Sequence, residues 1–164
     1  MSVDMFLKVE GIDGESQDKN HNKEIDILAW SWGMSQSGTT HMGSGGGAGK
    51  VAIQDLSVTK YVDRASMTLM EHVANGKHIT KAKLFVRKAG GTPLEYIKIE
   101  MEDIIVTSVS TGGSGGEDRL TENVTFNFSV VKTQYVPQKK DGTGEAGINF
   151  GWDIAGNVAA AAMK

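Results

Sequence analysis

The chain has 164 residues, 39% of them hydrophobic, and a formal net charge of −3. That length fits one domain, which would bury roughly 70% of the surface its unfolded form exposes. The weak acidity argues against a nucleic-acid partner, which normally demands a basic footprint, and the zero cysteines exclude disulfides and thiolate metal sites.

At the N-terminus Val3, Met5, Leu7 and Val9 alternate with Asp4, Phe6, Lys8 and Glu10, the period-two pattern of a half-buried strand. Met1–Glu10 lacks a basic stretch followed by an apolar one, so it is not expected to act as a secretory signal. No apolar run anywhere approaches the ~20 residues of a membrane helix, and no membrane insertion is expected. A polar loop starts at Asp13-Gly14 and runs to about Lys23. A second strand is expected over Glu24–Gly33, with Trp30 and Trp32 on one face and Ile25, Ile27 and Ala29 on the other. A glycine loop follows, with Gly43, Ser44, Gly45, Gly46 and Gly47 at its centre.

A third strand is expected over Val51–Tyr61. Its apolar set changes parity, from Val51 and Ile53 to Leu56 and Val58, which predicts a bulge or a barrel corner. A helix is expected over Ser66–Asn75, capped by Ser66 and stopped at Gly76. Leu69, Met70, Val73 and Ala74 would form its apolar stripe. Next comes a hairpin, Lys81–Lys88 with Glu95–Glu102, turning through Ala89–Pro93 with Gly90 and Gly91 at its tip. Setting Lys88 opposite Glu95 gives an apolar face of Ala82–Met101, Leu84–Ile99 and Val86–Ile97. The other face carries Lys81–Glu102, Lys83–Glu100, Phe85–Lys98 and Arg87–Tyr96. A one-residue slip would set apolar against polar throughout, so the register is well specified.

A second glycine loop holds Gly112, Gly113, Ser114, Gly115 and Gly116, then Glu117, Asp118 and Arg119. It leads into a strand over Leu120–Val136 that also switches parity. Val124, Phe126, Phe128 and Val130 lie on one face, and Val131 and Tyr135 on the other. Pro137–Gly147 is a polar linker. Phe150, Trp152 and Ile154 alternate as a short last strand. The domain is expected to span residues 1–157, with 158–164 as a flexible tail.

No catalytic, cofactor or metal constellation emerges. Gly43–Lys50 ends in Gly49-Lys50, but a phosphate loop needs glycine where Ser44 stands and Ser or Thr where Val51 stands. His21, His41, His72 and His78 have no metal-ligand spacing. Glu117 and Asp118 are adjacent carboxylates on a flexible loop, where nothing would raise a pKa for acid–base work. Trp30 and Trp32 read as core or interface anchors, with a carbohydrate-stacking platform as the sharper alternative.

Long strings in order carry a resemblance. Val3-Asp-Met-Phe-Leu-Lys8, the run Glu24–Gly38, Gly49-Lys50, Asp55-Leu-Ser57, Thr59-Lys-Tyr61, Lys83-Leu84, Arg87–Gly91 and Ser108–Phe128 resemble the haemolysin-coregulated protein (Hcp) family of type VI secretion systems. The resemblance spans nearly the whole chain, to about residue 157. It implies a mainly β fold: an antiparallel β-barrel of two sheets with one flanking helix, like phage tail tube proteins. It further implies a homohexameric ring that stacks into a tube inside a contractile sheath and is expelled behind a spike trimer. Small secreted effectors would ride in the ring lumen. The expected location is cytoplasmic, with export through the type VI apparatus and no signal peptide. In that setting the two glycine loops and the turn at Gly90 and Gly91 become candidate contacts between subunits or rings. Ser31, facing away from the tryptophans by strand alternation, becomes a candidate lumen and effector contact. A monomeric ligand-binding barrel, for example for carbohydrate, is the alternative; no cofactor is expected under either reading.

Overall fold

A computed structural model describes residues 2–38, 41, 49–90 and 92–164. Ten strands and one helix follow in chain order: β1 Val3–Val9, β2 Ile25–Ser31, β3 Met34–Ser35, β4 Ala52–Ile53, β5 Leu56–Tyr61, α1 Ser66–Asn75, β6 Ile79–Lys88, β7 Leu94–Thr111, β8 Thr121–Tyr135, β9 Ile148–Asp153 and β10 Val158–Ala159. The sheet order β8-β5-β2-β1-β6-β7, with β7 returning to β8, closes six antiparallel strands into a barrel. This is the expected fold class. Beyond the closure, β9 pairs with the second half of β8 and β10 pairs with β9. Val158 and Ala159 thus carry the paired sheet two residues past the expected limit at 157.

The barrel closes because its two longest strands turn a corner together. In β7 the buried set changes from Ile99 and Met101 to Ile104 and Val106; in β8 it changes from Phe126 and Phe128 to Val131. Met101 lies opposite Val131 and Ile104 opposite Phe128, so both strands reverse face at one place. Asp103 sits there at φ 53°, a left-handed conformation that Asp tolerates better than most residues. Its carboxylate accepts from Ser129 Oγ at 2.9 Å and lies 2.8 Å from His78 Nδ1. The expected parity switch in Leu120–Val136 is therefore a barrel corner, and Phe128 and Val131 both point inward.

Two sequence expectations are corrected by similar local irregularities. In β2 the register with β5 shifts between Ile27 and Ala29. That bulge turns Trp30 and Trp32 to the side of Ile25 and Ile27, where they pack on the core, and leaves Ala29 exposed. In the third expected strand the chain breaks at Gln54-Asp55. β4 pairs with β3 as a separate ribbon, while β5 joins the barrel.

The β6–β7 hairpin keeps the expected register from Lys81↔Glu102 to Val86↔Ile97, then slips so that Arg87 faces Glu95. Arg87 stays paired in the sheet, and its side chain bonds Asp18 and Asp4. The expected cross-strand ion pairs form diagonally instead, with Lys81 3.7 Å from Glu100. The core collects Leu7, Ile25, Leu56, Leu69, Leu84, Met101, Ile104 and Phe126, all fully buried, each contributing roughly 1.5–3 kcal/mol of transfer free energy.

Helix α1 has the expected bounds and ends at Gly76, φ 68°. Its buried stripe is Ser66, Leu69 and His72, while Val73 is exposed. Ser66 does not cap the helix. Its Oγ accepts the Asp63 N–H at 2.9 Å, and Asp63 Oδ1 accepts the Ala65 N–H at 2.9 Å. Ser66 is drawn inward because Lys60 and Glu122 need it. Lys60 Nζ lies 2.5 Å from Glu122 Oε1, 2.9 Å from Asp63 Oδ1 and 3.1 Å from Ser66 Oγ. Ser66 Oγ donates to Glu122 Oε1 at 2.5 Å. This buried network ties the helix to the β5–β8 wall.

Candidate assembly interface

The two halves of the barrel wall differ in chemistry. In β5, Leu56, Val58 and Lys60 point inward while Ser57, Thr59 and Tyr61 point outward. Strand pairing extends that outward set into rows. Ser31, Ser57, Thr125 and Ser108 are successive cross-strand partners from β2 through β5 and β8 to β7. Ala29, Thr59, Asn123 and Ser110 form the adjacent row. These rows contain no charge. Thr59 Oγ1 donates to Asn123 Oδ1 at 2.7 Å, and Thr125 Oγ1 lies 2.6 Å from both Thr107 Oγ1 and Ser108 Oγ. The result is a neutral face of short hydroxyl and amide side chains across four strands.

The other half is charged. Lys8, Lys83, Glu100 and Lys132 are successive partners across β1, β6, β7 and β8, and Phe85 lies opposite Lys98. Burial lowers the Lys83 pKa, with the neighbouring Glu100 carboxylate opposing the shift.

Beside that face lies a cluster that sequence reasoning missed. His21 is buried, stacked on Phe6 at 4.4 Å, with Nδ1 3.0 Å from Glu24 Oε1 and Nε2 against Glu95 Oε1. Arg87 bonds Asp18 at 2.6 and 3.1 Å and Asp4 at 3.2 Å, and lies over the Phe6 ring. The Arg87 hydrogen bonds hold the Asp18 carboxyl down at about 2, and Asp18 in turn raises the Arg87 pKa. Burial raises the Glu24 pKa against the pull of His21. The cluster clamps the polar 13–24 loop onto the hairpin. The apolar phase of Phe6, opposite to its strand neighbours, is the one sequence signal that a second small core lay on that face.

The candidate contacts scatter around the barrel. Ser31 is exposed on the neutral face, opposite in direction to Trp30. Gly112, Gly113, Ser114, Gly115 and Gly116 are exposed beyond the end of β7, and Gly90 is at the hairpin tip with φ 153°. Gly43, Ser44, Gly45, Gly46, Gly47 and Gly91 lie outside the described residues. Among the described residues, Ser31, Gly90 and residues 112–116 fall at three separate places: the end of β2, the β6–β7 turn and the loop after β7. The structure presents an apolar groove of about 380 Å³ between the β3–β4 ribbon and β9, lined by Met34, Val51, Ile53, Phe150 and Trp152. The outer edge of β7 over residues 105–111 pairs with β8 on one side only among the described residues. Trp30, Trp32 and Trp152 are partly buried and pack against the core. Among the described residues no helix is long and apolar enough to cross a membrane.

Known proteins share this architecture along its whole length. Residues 6–135 match the family described as Type VI secretion system effector, Hcp. The chain is 59% identical over 162 residues to Protein hcp1 of Pseudomonas aeruginosa, a match covering 98% of this chain and 100% of that protein. A solved type six secretion system protein superposes with a TM-score of 0.91 at 30% identity, covering 97% of this chain and 100% of that one. Hcp1 from Salmonella typhimurium gives a TM-score of 0.79 at 38% identity, covering 98% and 100%. The closed barrel with one outer helix is thus that of a type VI secretion protein. The chain belongs to the Hcp family of type VI secretion proteins.

Proposed function

We propose that this chain is the tube subunit of a type VI secretion system. It forms homohexameric rings, the rings stack within the contractile sheath, and the tube leaves the cytoplasm behind a spike trimer without a signal peptide. Small effectors travel in the ring lumen, and the chain performs no catalysis. The observation that carries this reading is the neutral hydroxyl face around Ser31. A wall that must pass varied cargo favours side chains that are short, uncharged and able to donate or accept, which describes Ser and Thr hydroxyls. Ring closure is supported by the half-paired edge of β7, since an exposed strand edge calls for cover and a head-to-tail contact that closes by rotation covers it in every copy.

Light scattering on the purified chain tests the ring. The expected mass is that of six 17.5 kDa copies at micromolar concentration. A monomer mass throughout that range would overturn the reading in favour of a monomeric barrel.

A further inference from the structure

We propose that the Asp55 carboxylate selects cargo presenting a lysine or arginine side chain. This deepens the lumen reading and rests on it. Asp55 lies between β4 and β5, half-buried at the end of the hydroxyl rows. Thr107 Oγ1 donates to its Oδ2 at 2.8 Å and Asn127 Nδ2 to its Oδ1 at 2.9 Å. Thr107 is also in contact with Thr125, which continues to Ser108. The carboxylate is thereby continuous with the face that carries Ser31.

Three features give Asp55 a discriminating role that its neighbours lack. Hydroxyls rotate to suit either a donor or an acceptor, so the rows themselves discriminate little. An ionised carboxylate only accepts, so it favours cargo donors and rejects cargo carboxylates. Each of its oxygens uses one of about two lone-pair sites on a neutral donor, which leaves about one further acceptor site on each. That matches the two-pronged fork of a guanidinium. No cation neutralises it: among the described residues no Lys, Arg or His forms an ion pair with Asp55. A charge half withdrawn from water without a partner is unfavourable, and a cargo cation relieves it. Repetition in every copy of a ring would concentrate the negative field around the opening.

The test uses the assembled full chain and two defined probes, the acetylated amide peptide Ser-Gly-Arg-Gly-Ser and its counterpart with neutral citrulline for arginine. In low salt the arginine peptide should bind about three- to five-fold tighter, the range of a partly screened ion pair. Raising salt should shrink that ratio toward unity. Asp55→Asn, which keeps the shape, should abolish the ratio at unchanged assembly mass. Asp55→Glu, which keeps the charge, should retain it. Equal binding of both peptides to the native chain, saturation by neither in the millimolar range, or a ratio surviving in Asp55→Asn would overturn the proposal. Ser31→Gln separates the two readings, because bulk on the shared face should weaken both peptides alike. If it does so while Asp55→Asn keeps the preference, only the charge selection fails. If Ser31→Gln leaves both peptides untouched, they bind away from the shared face and the proposal fails, while the ring reading stands or falls on the assembly mass.

Discussion

Replacing Lys60 by methionine should be among the most damaging single changes in this barrel. Lys60 is fully buried, and its ammonium touches Glu122 Oε1 at 2.5 Å, Asp63 Oδ1 at 2.9 Å and Ser66 Oγ at 3.1 Å. Methionine fills a similar volume, so cavity formation contributes little. What changes is charge: Glu122 keeps only Ser66 as a donor, its Oε2 already has no partner, and the Asp63 carboxylate stands beside it. Breaking one side of a buried pair costs about 3–5 kcal/mol, against a total stability of roughly 5–15 kcal/mol for a typical domain. Removing both charges with Lys60→Met and Glu122→Leu should cost less than the single Lys60→Met change, with a coupling of about 2–3 kcal/mol. Guanidinium unfolding followed by tryptophan fluorescence reads both values. It must be run at one fixed protomer concentration, because assembly adds to apparent stability. A loss below about 1 kcal/mol for Lys60→Met, or a double variant equal to the sum of its singles, would show that Lys60 and Glu122 are not a coupled buried pair.

Other expectations follow from the same geometry. Asp18 has a folded pKa near 2, below its ordinary 3.8, so its contribution is full above the ordinary value and is lost as pH falls through the folded one; acid titration of stability in Asp18→Asn should be flatter between those limits than in the native chain. Ser31→Gln should leave ring mass and tube export intact while lowering the level of at least one small effector in the producing strain; unchanged levels of every effector would remove Ser31 from the cargo surface. Gly90→Lys should weaken ring stacking and leave the ring itself intact. Because Gly90 has φ 153°, a side chain there is also strained, so Thr92→Lys at the same turn serves as the control. Sedimentation that shows both variants stacking like the native chain would remove the turn from the stacking face.

Regular alternation made most of the wall legible. The register from Lys81↔Glu102 to Val86↔Ile97 follows from matching apolar faces, because no other register satisfies both sides. Exceptions arise where one residue departs from the pleat. The bulge after Ile27 moves Trp30 and Trp32 to the core side, and a single sequence offers two equal patterns there, since tryptophan suits either face. Lys60 and Glu122 are buried by contacts 62 residues apart, so nothing local distinguishes them from surface charges. The hydroxyl face was legible only at Ser31. Its other members become a face when β5, β8 and β7 stand side by side in register, and that is a property of topology. Asp55 likewise reads as an ordinary loop carboxylate until Thr107 and Asn127 are beside it.

In the proposed ring the hydroxyl face lines the central hole. The chain contains no cysteine, so Ser57→Cys offers a unique attachment point in the middle of that face. Electron microscopy of this variant, carrying a maleimide gold cluster small enough to enter the ring, locates that face. Six-fold rings with gold density inside the hole are expected; gold on the outer rim, or particles with no ring, would rule out a lumen lined by this face.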